Sequence, residues 1–294
     1  MRLIQKILSK LIARLLLLFD RIPAVRREWF KALKGGDFLA SSVSTEIFVV
    51  STTDKIIGRD VYAYGSYDVG KLEQVIKLLP PTHSRAIFVD VGANIGTISI
   101  PALARNHFKR GIAIEPEALN FRLLKANVVL NGLESVLALH NVALGAVKGP
   151  AVMELSPNNS GDHRIRTAHS ANGRFDEAAR TTITIQSVTL DELCSDLDAQ
   201  DALIWIDTQG YEGFVLEGGK ACLSKKIPLV MEFWPYAMRQ ACSYESLKKA
   251  LISAGYKRLI NLGSLEETTL DEASIDALYQ SFKKDRAFTD ILVL

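Results

Sequence analysis

Two carboxylates behind apolar runs mark where this chain could do chemistry. Asp90 stands in Ile87-Phe-Val-Asp-Val91, a strand-like stretch that empties into Gly92-Ala-Asn-Ile-Gly96. Glu115 closes a second apolar run, Gly111-Ile-Ala-Ile-Glu115, and Pro116 follows it. A strand, a glycine-bearing turn, a helical segment and a strand that ends on an acid form a βαβ unit suited to a nucleoside. On this reading Gly92 and Gly96 let the backbone turn sharply and approach a ligand, while Glu115 accepts the two hydroxyl protons of a ribose.

A dinucleotide fingerprint would need glycines where Asn94 and Thr97 stand, and an acid at the head of the loop repels a pyrophosphate. Asp90 instead suits a ligand that carries an ammonium and a sulfonium, which is S-adenosylmethionine. The loop resembles motif I of the class I methyltransferases. Ala93, Asn94 and Pro116 complete the expected donor-binding set, together with Asn141 and Val142 beyond the third strand, where an adenine could stack or bond.

The elements that would position these residues alternate from Ile87 onward. Strands are expected at 87–91, 112–115, 136–143, 202–206, 227–232, 257–262 and 289–294. Helices are expected near 97–106, 117–130, 212–223 and 244–254. The pattern predicts an α/β, doubly wound sheet within residues 41–294, and the resemblance to class I methyltransferases implies that it is Rossmann-like and of their type. Residues 151–155 and 182–187 alternate apolar and polar, as a β-ribbon insertion over about 150–187 would. Ahead of the core lies a lead-in over 41–85, read as strands at 44–50 and 55–64 and a helix over 70–79 that Pro80-Pro81 ends. Residues 1–40 form a basic N-terminal extension.

Ligands of such sheets bind beyond the carboxyl ends of the strands. That edge collects Asp90, Glu115, Asp207 with Glu212, and Glu232. Methyl transfer to a hydroxyl needs an aligned acceptor and a base for its proton. Asp207 is the candidate catalytic residue after the fourth strand, although Asp207 or Glu212 could equally cap a helix. His163, in the insertion loop Asn158-Asn-Ser-Gly-Asp-His163, is the rival base because imidazole titrates near neutral pH. That loop would otherwise be a lid over the acceptor. The spacing of the acids is not diagnostic of a metal, and none is expected.

Several stretches together resemble the FkbM methyltransferase family. They are Asp90-Val-Gly-Ala-Asn-Ile-Gly96, Ala113-Ile-Glu-Pro116 with Asn120 and Phe121, Asn141-Val-Ala-Leu-Gly145, Thr189-Leu-Asp-Glu-Leu193 and Ile206-Asp-Thr-Gln-Gly-Tyr-Glu212. Thr53-Asp54 and 57–65 are similar to the family's lead-in. The resemblance covers roughly residues 45–235. It implies S-adenosylmethionine as the donor and O-methylation of a sugar, polyketide or related hydroxyl compound. One departure stands out, because the family commonly carries Asp-x-Glu-Gly-x-Glu after the fourth strand and Gln209 replaces the middle acid here.

Bulk properties narrow the partners. With Lys and Arg at 35 against Asp and Glu at 33, no broad basic surface advertises nucleic acid. Nor does Asp207-Thr-Gln-Gly210 match the Asn/Asp-Pro-Pro-aromatic tetrapeptide of nucleic-acid N-methyltransferases. Cys194, Cys222 and Cys242 are widely spaced, as reduced thiols of a cytoplasmic protein would be. In residues 2–19, Arg2, Lys6, Lys10 and Arg14 recur every four residues among leucines and isoleucines. This pattern predicts an amphipathic helix that either lies on an anionic inner membrane face or partner, or packs on its own domain. An NAD-dependent enzyme and a catalytically silent scaffold are the competing readings.

Overall fold

The computed structural model describes residues 22–167, 173–175 and 177–294, together with 5, 7–11 and 14. Residues 5, 7–11 and 14 are helical and exposed; the rest of the helix expected over 2–19 lies outside the described residues. Among the described residues no helix is long and apolar enough to cross a membrane.

The lead-in comprises α1 (Pro23–Ala32), β1 (Phe38–Ser41), β2 (Phe48–Ser51), α2 (Ile57–Tyr64) and α3 (Val69–Leu78), with β1 and β2 antiparallel. The strand expected over 55–64 is therefore a helix. Asp54 Oδ1 accepts the N–H groups of Ile56 and Ile57, fixing a helical start. Ile57 and Val61 then bury one turn apart, and Gly65, at φ +81°, ends the helix. The strand expected over 44–50 is only its second half, β2.

The core follows with β3 (Ile87–Val91), α4 (Ser99–Ala104), β4 (Arg110–Ile114), α5 (Ala118–Leu130) and β5 (Leu137–His140). Next comes the insertion, β6 (Ala143–Leu144), β7 (Gly149–Leu155), β8 (Arg164–Ile165) and β9 (Thr181–Val188). The chain returns through α6 (Leu190–Cys194), β10 (Ala202–Ile206), α7 (Glu212–Glu217), α8 (Lys220–Ser224) and β11 (Leu229–Phe233). It closes with α9 (Pro235–Ala241), α10 (Tyr244–Ala254), β12 (Arg258–Asn261), β13 (Glu267–Thr269), α11 (Glu272–Ser281) and β14 (Thr289–Val293). Pro101 falls in the first turn of α4, where its missing N–H costs nothing.

Eight strands form the main sheet in the order β13-β12-β14-β11-β10-β3-β4-β5. β5, β4, β3, β10 and β11 run parallel, whereas β14 is antiparallel to β11. Successive side chains of a strand alternate between faces, so Phe88, Trp205 and Val230 pack with the lead-in, α4 and α5. Val89, Ile204 and Met231 pack on the other face with α6, α7 and α10. Burying one such side chain stabilises the fold by roughly 1.5–3 kcal/mol, so the lead-in is part of the core. The ribbon is real and larger than expected: β7 pairs with β9 antiparallel from Gly149↔Ser187 to Leu155↔Thr181 in a four-stranded sheet. Cys194 and Cys222 are buried, Cys242 is exposed, and all three thiols are free.

Candidate active site

The C-terminal ends of β3, β4 and β10 are locked together by the turn after Val91. The N–H groups of Gly92 and Ala93 both donate to Ile114 O, and Asp207 N–H donates to Val91 O. Gly92 has φ +89°, and a Cβ there would lie 1.9 Å from the Asp207 carbonyl oxygen. Gly96, at φ +92°, lies under the loop against Ile100 and Leu124. In the structure both glycines pack closely on the protein's own backbone and core, and Gly92 also lines the cleft. Asn94, also left-handed at φ +51°, donates its N–H to Glu115 Oε2 at 2.9 Å, while Glu117 N–H donates to Oε1 at 2.8 Å.

A cleft opens above this junction. Asp90, Gly92, Ala93, Asn94, Glu115, Pro116 and Val142 line it, as do Asp207 and His163. Two expected donor-site residues do not. Gly96 is beneath the loop, and Asn141 donates its side-chain amide to the carbonyls of Glu115 and Pro116 at 2.8 and 3.1 Å. Asn141 therefore braces the corner on which Glu115 stands. Burial pushes the Glu115 carboxyl up to about 8 against the pull of the two N–H groups. Asp90 is pushed up to about 7 for the same reason, with Ser99 N–H on its Oδ2. Both are desolvated acceptors awaiting donors or positive charge.

The other end of the cleft is richer in acids than the sequence indicated. Asp207 is raised to about 7, first by burial and then by Asp290 and Glu212. Gln209 Nε2 donates to Asp207 Oδ1 at 2.6 Å and to Glu232 Oε2 at 3.0 Å. Glu232 is raised well above the ordinary range by burial and by Asp207. Glu212 takes the N–H groups of Thr208 and Gly210 on Oε1, shaping the loop at the start of α7. Tyr67, Asp68 and Asp290 also line the cleft, and Lys71 Nζ bridges Asp290 at 2.6 Å and Asp68 at 2.9 Å. The sequence reading missed these four. Asp290 was findable: an antiparallel strand presents its first residues at the edge where parallel strands present their last.

The insertion loop is tied to the side of the cleft that carries Asn94 and Asn120. Ser160 O accepts from Asn94 Nδ2 at 3.0 Å and from Asn120 Nδ2 at 3.1 Å, and Ser160 Oγ donates to Asp54. His163 Nδ1 accepts Ser156 N–H at 3.0 Å, and burial lowers its pKa below the usual imidazole value. A neutral ring with Nδ1 so engaged holds its proton on Nε2. His163 lines the cleft, and Nε2–H is the donor it carries there. Among the described residues no group of three or more His, Cys, Asp or Glu is arranged to hold a metal ion.

The model of the methyltransferase FkbM domain matches residues 90–257, from Asp90 through α10 to the start of β12. The chain belongs to the FkbM methyltransferase family. S-adenosylmethionine is the methyl donor of that family. Among curated proteins none matches the chain. Among solved structures, the methyltransferase FkbM from Methylobacillus flagellatus is 20% identical, with a TM-score of 0.44; the match covers 74% of this chain and 45% of that one, so this chain spans less than half of that protein. The TYW2 of M. jannaschii, solved in complex with AdoMet, is 12% identical over 89% of this chain and 86% of its own, with a TM-score of 0.41. A B. subtilis tRNA methyltransferase, TrmK, is 13% identical over 76% and 64%, with a TM-score of 0.38.

Proposed function

We propose that this FkbM-family protein methylates a hydroxyl group of a sugar, glycan or small natural product, with Asp207 receiving or orienting the hydroxyl proton. The observation that carries this reading is the desolvated carboxyl of Asp207 at the edge it shares with Asp90 and Glu115, three acids in one cleft. S-adenosylmethionine would supply an electrophilic methyl carbon on a sulfonium. Glu115 would hold the ribose hydroxyls, Pro116 and Val142 would flank the base, and Asp90 would face the cationic methionine end.

Asp207, with its pKa near the operating pH, has the driving force a general base needs and is ionised in a useful fraction of molecules. Tyr67, Asp68, Thr208 and Asp290 crowd the same end with polar groups that suit an acceptor with several hydroxyls. His163, its Nδ1 already engaged, would donate to a ligand rather than take a proton. The three free thiols fit a reducing, cytoplasmic setting. The test is transfer of labelled methyl from S-adenosylmethionine to a panel of glycans, sugars and hydroxylated metabolites. Label in an alkali-stable ether product supports the reading; label only on amine or nucleobase nitrogen refutes it.

A further inference from the structure

We propose that the N-terminal layer is a docking surface for an anionic lipid membrane, held there by apolar side chains of α1 and the cations around them. At about 100° per residue, Ile22, Val25 and Trp29 fall within roughly 60° of one another on α1, and all three are exposed, Trp29 at 48%. The adjacent face of α1, about 90° round, is turned inward, because Phe30 and Arg26 are buried. Upstream, Ile7, Leu8 and Leu11 are helical and still more exposed, at 61%, 53% and 55%. Six large apolar side chains in one short stretch exceed the scattered singles of an ordinary surface.

Charge selects the occupant. Residues 1–38 hold nine Lys and Arg against three Asp and Glu, whereas the remainder of the chain holds 26 against 30. The basic character is therefore confined to the layer that carries the exposed apolar groups, and Lys10, Arg14, Lys31 and Lys34 are all exposed there. Anionic headgroups over an acyl boundary meet both features at once: cations reach the phosphates while short apolar stripes enter only the boundary. Trp29 suits such an interface, because the indole is apolar in body and polar at its N–H.

The test is co-sedimentation of the full chain with phosphatidylcholine vesicles prepared with and without phosphatidylglycerol, at low and high salt. Wild type should bind the anionic vesicles only, and salt should release it. Val25→Ser with Trp29→Ser should weaken binding about tenfold or more. Lys31→Glu with Lys34→Glu, on exposed side chains of which Lys31 pairs with the exposed Glu28, should weaken it by roughly fivefold per charge. S-adenosylmethionine affinity, read by titration calorimetry, should be unchanged in both and so certify the fold. Failure of wild type to bind anionic vesicles, equal binding to neutral ones, or wild-type binding by the charge-reversed variant overturns the proposal. A protein partner or an internal packing role would give the first of these results.

Discussion

A single neutral amide holds two buried carboxylates: Gln209 Nε2 donates to Asp207 Oδ1 at 2.6 Å and to Glu232 Oε2 at 3.0 Å. The backbone of Gln209 is left-handed, at φ +55°, and the glycine after it is at φ +98°. The loop thus accepts strain that a non-glycine residue rarely bears. What the strained residue accomplishes is electrostatic. Its hydrogen bond lowers the Asp207 pKa while burial and Asp290 raise it.

Gln209→Glu should therefore move the acid limb of the pH–rate profile upward. The substitution puts a third carboxyl beside Asp207 and Glu232, and acids this close cannot all ionise. If Asp207 works as a carboxylate, kcat/KM in wild type rises as pH passes through about 7; in the variant the rise should come at least about one unit later. A superimposable profile would remove Gln209 from any role in setting Asp207.

Asp207→Asn keeps the shape of the side chain and removes the base. Turnover should fall about 10²- to 10⁴-fold if Asp207 is the general base, with donor affinity changed far less. His163→Ala is the companion measurement. Since Nδ1 is bound to Ser156 N–H, this variant should lose affinity for a ligand more than it loses turnover. Near-normal turnover in Asp207→Asn beside a dead His163→Ala enzyme would transfer the base to the insertion loop.

The parallel core was legible because its signals are local. Continuous apolar runs, each ending in a turn or an acid, gave β3, β4 and β10 nearly to the residue, and the same runs placed Asp90, Glu115 and Asp207 at one edge. The lead-in was harder. In residues 55–64 the apolar positions satisfy both a period of two and a helical period, and a local cap, Asp54 accepting the N–H groups of Ile56 and Ile57, decides between them. Tyr67 and Asp68 belong to the cleft, with Lys71 paired to Asp68 and Asp290, only because that layer folds back over the sheet, about 140 residues before Asp207 in the chain. Asn141 was expected at the ligand from its place after a strand; its NH2 donates to two carbonyls that no sequence pattern announces.

Glu115→Ala should weaken S-adenosylmethionine binding by roughly 1–3 kcal/mol, since two ribose hydroxyls would lose their acceptor. The loss should also disorder the turn, because the N–H groups of Asn94 and Glu117 bind the same carboxylate. Glu115→Gln separates the two effects: one amide oxygen can still accept an N–H, so the fold is better kept while the ribose contact is impaired. Calorimetric titration of both variants checks this. Wild-type affinity in Glu115→Ala would disprove the ribose assignment.

Stability should fall between about pH 6.5 and 8.5 when the donor is absent. Asp90 and Glu115 have folded values of about 7 and 8, against 3.8 and 4.5 for the free side chains. In this window the unfolded chain has already released both protons while the folded chain is still giving its own up, so the folded form holds more protons, rising pH favours unfolding, and the slope flattens above about 8. The raised carboxyls of Asp207 and Glu232 act in the same sense. His107 and His163, lowered by burial, oppose this trend below about pH 7.5, where the unfolded chain begins to protonate them, by no more than about 0.4 kcal/mol each at the low end of the window. The net loss should be about 1–3 kcal/mol, a drop of several degrees in Tm for a chain of this size. Saturating S-adenosylmethionine should flatten the slope, since ribose hydroxyls on Glu115 and a cationic group near Asp90 favour the ionised forms. Calorimetric scans at the two pH values, with and without donor, make the comparison; a donor-free Tm that rises with pH would mean these carboxyls are ionised in the folded protein.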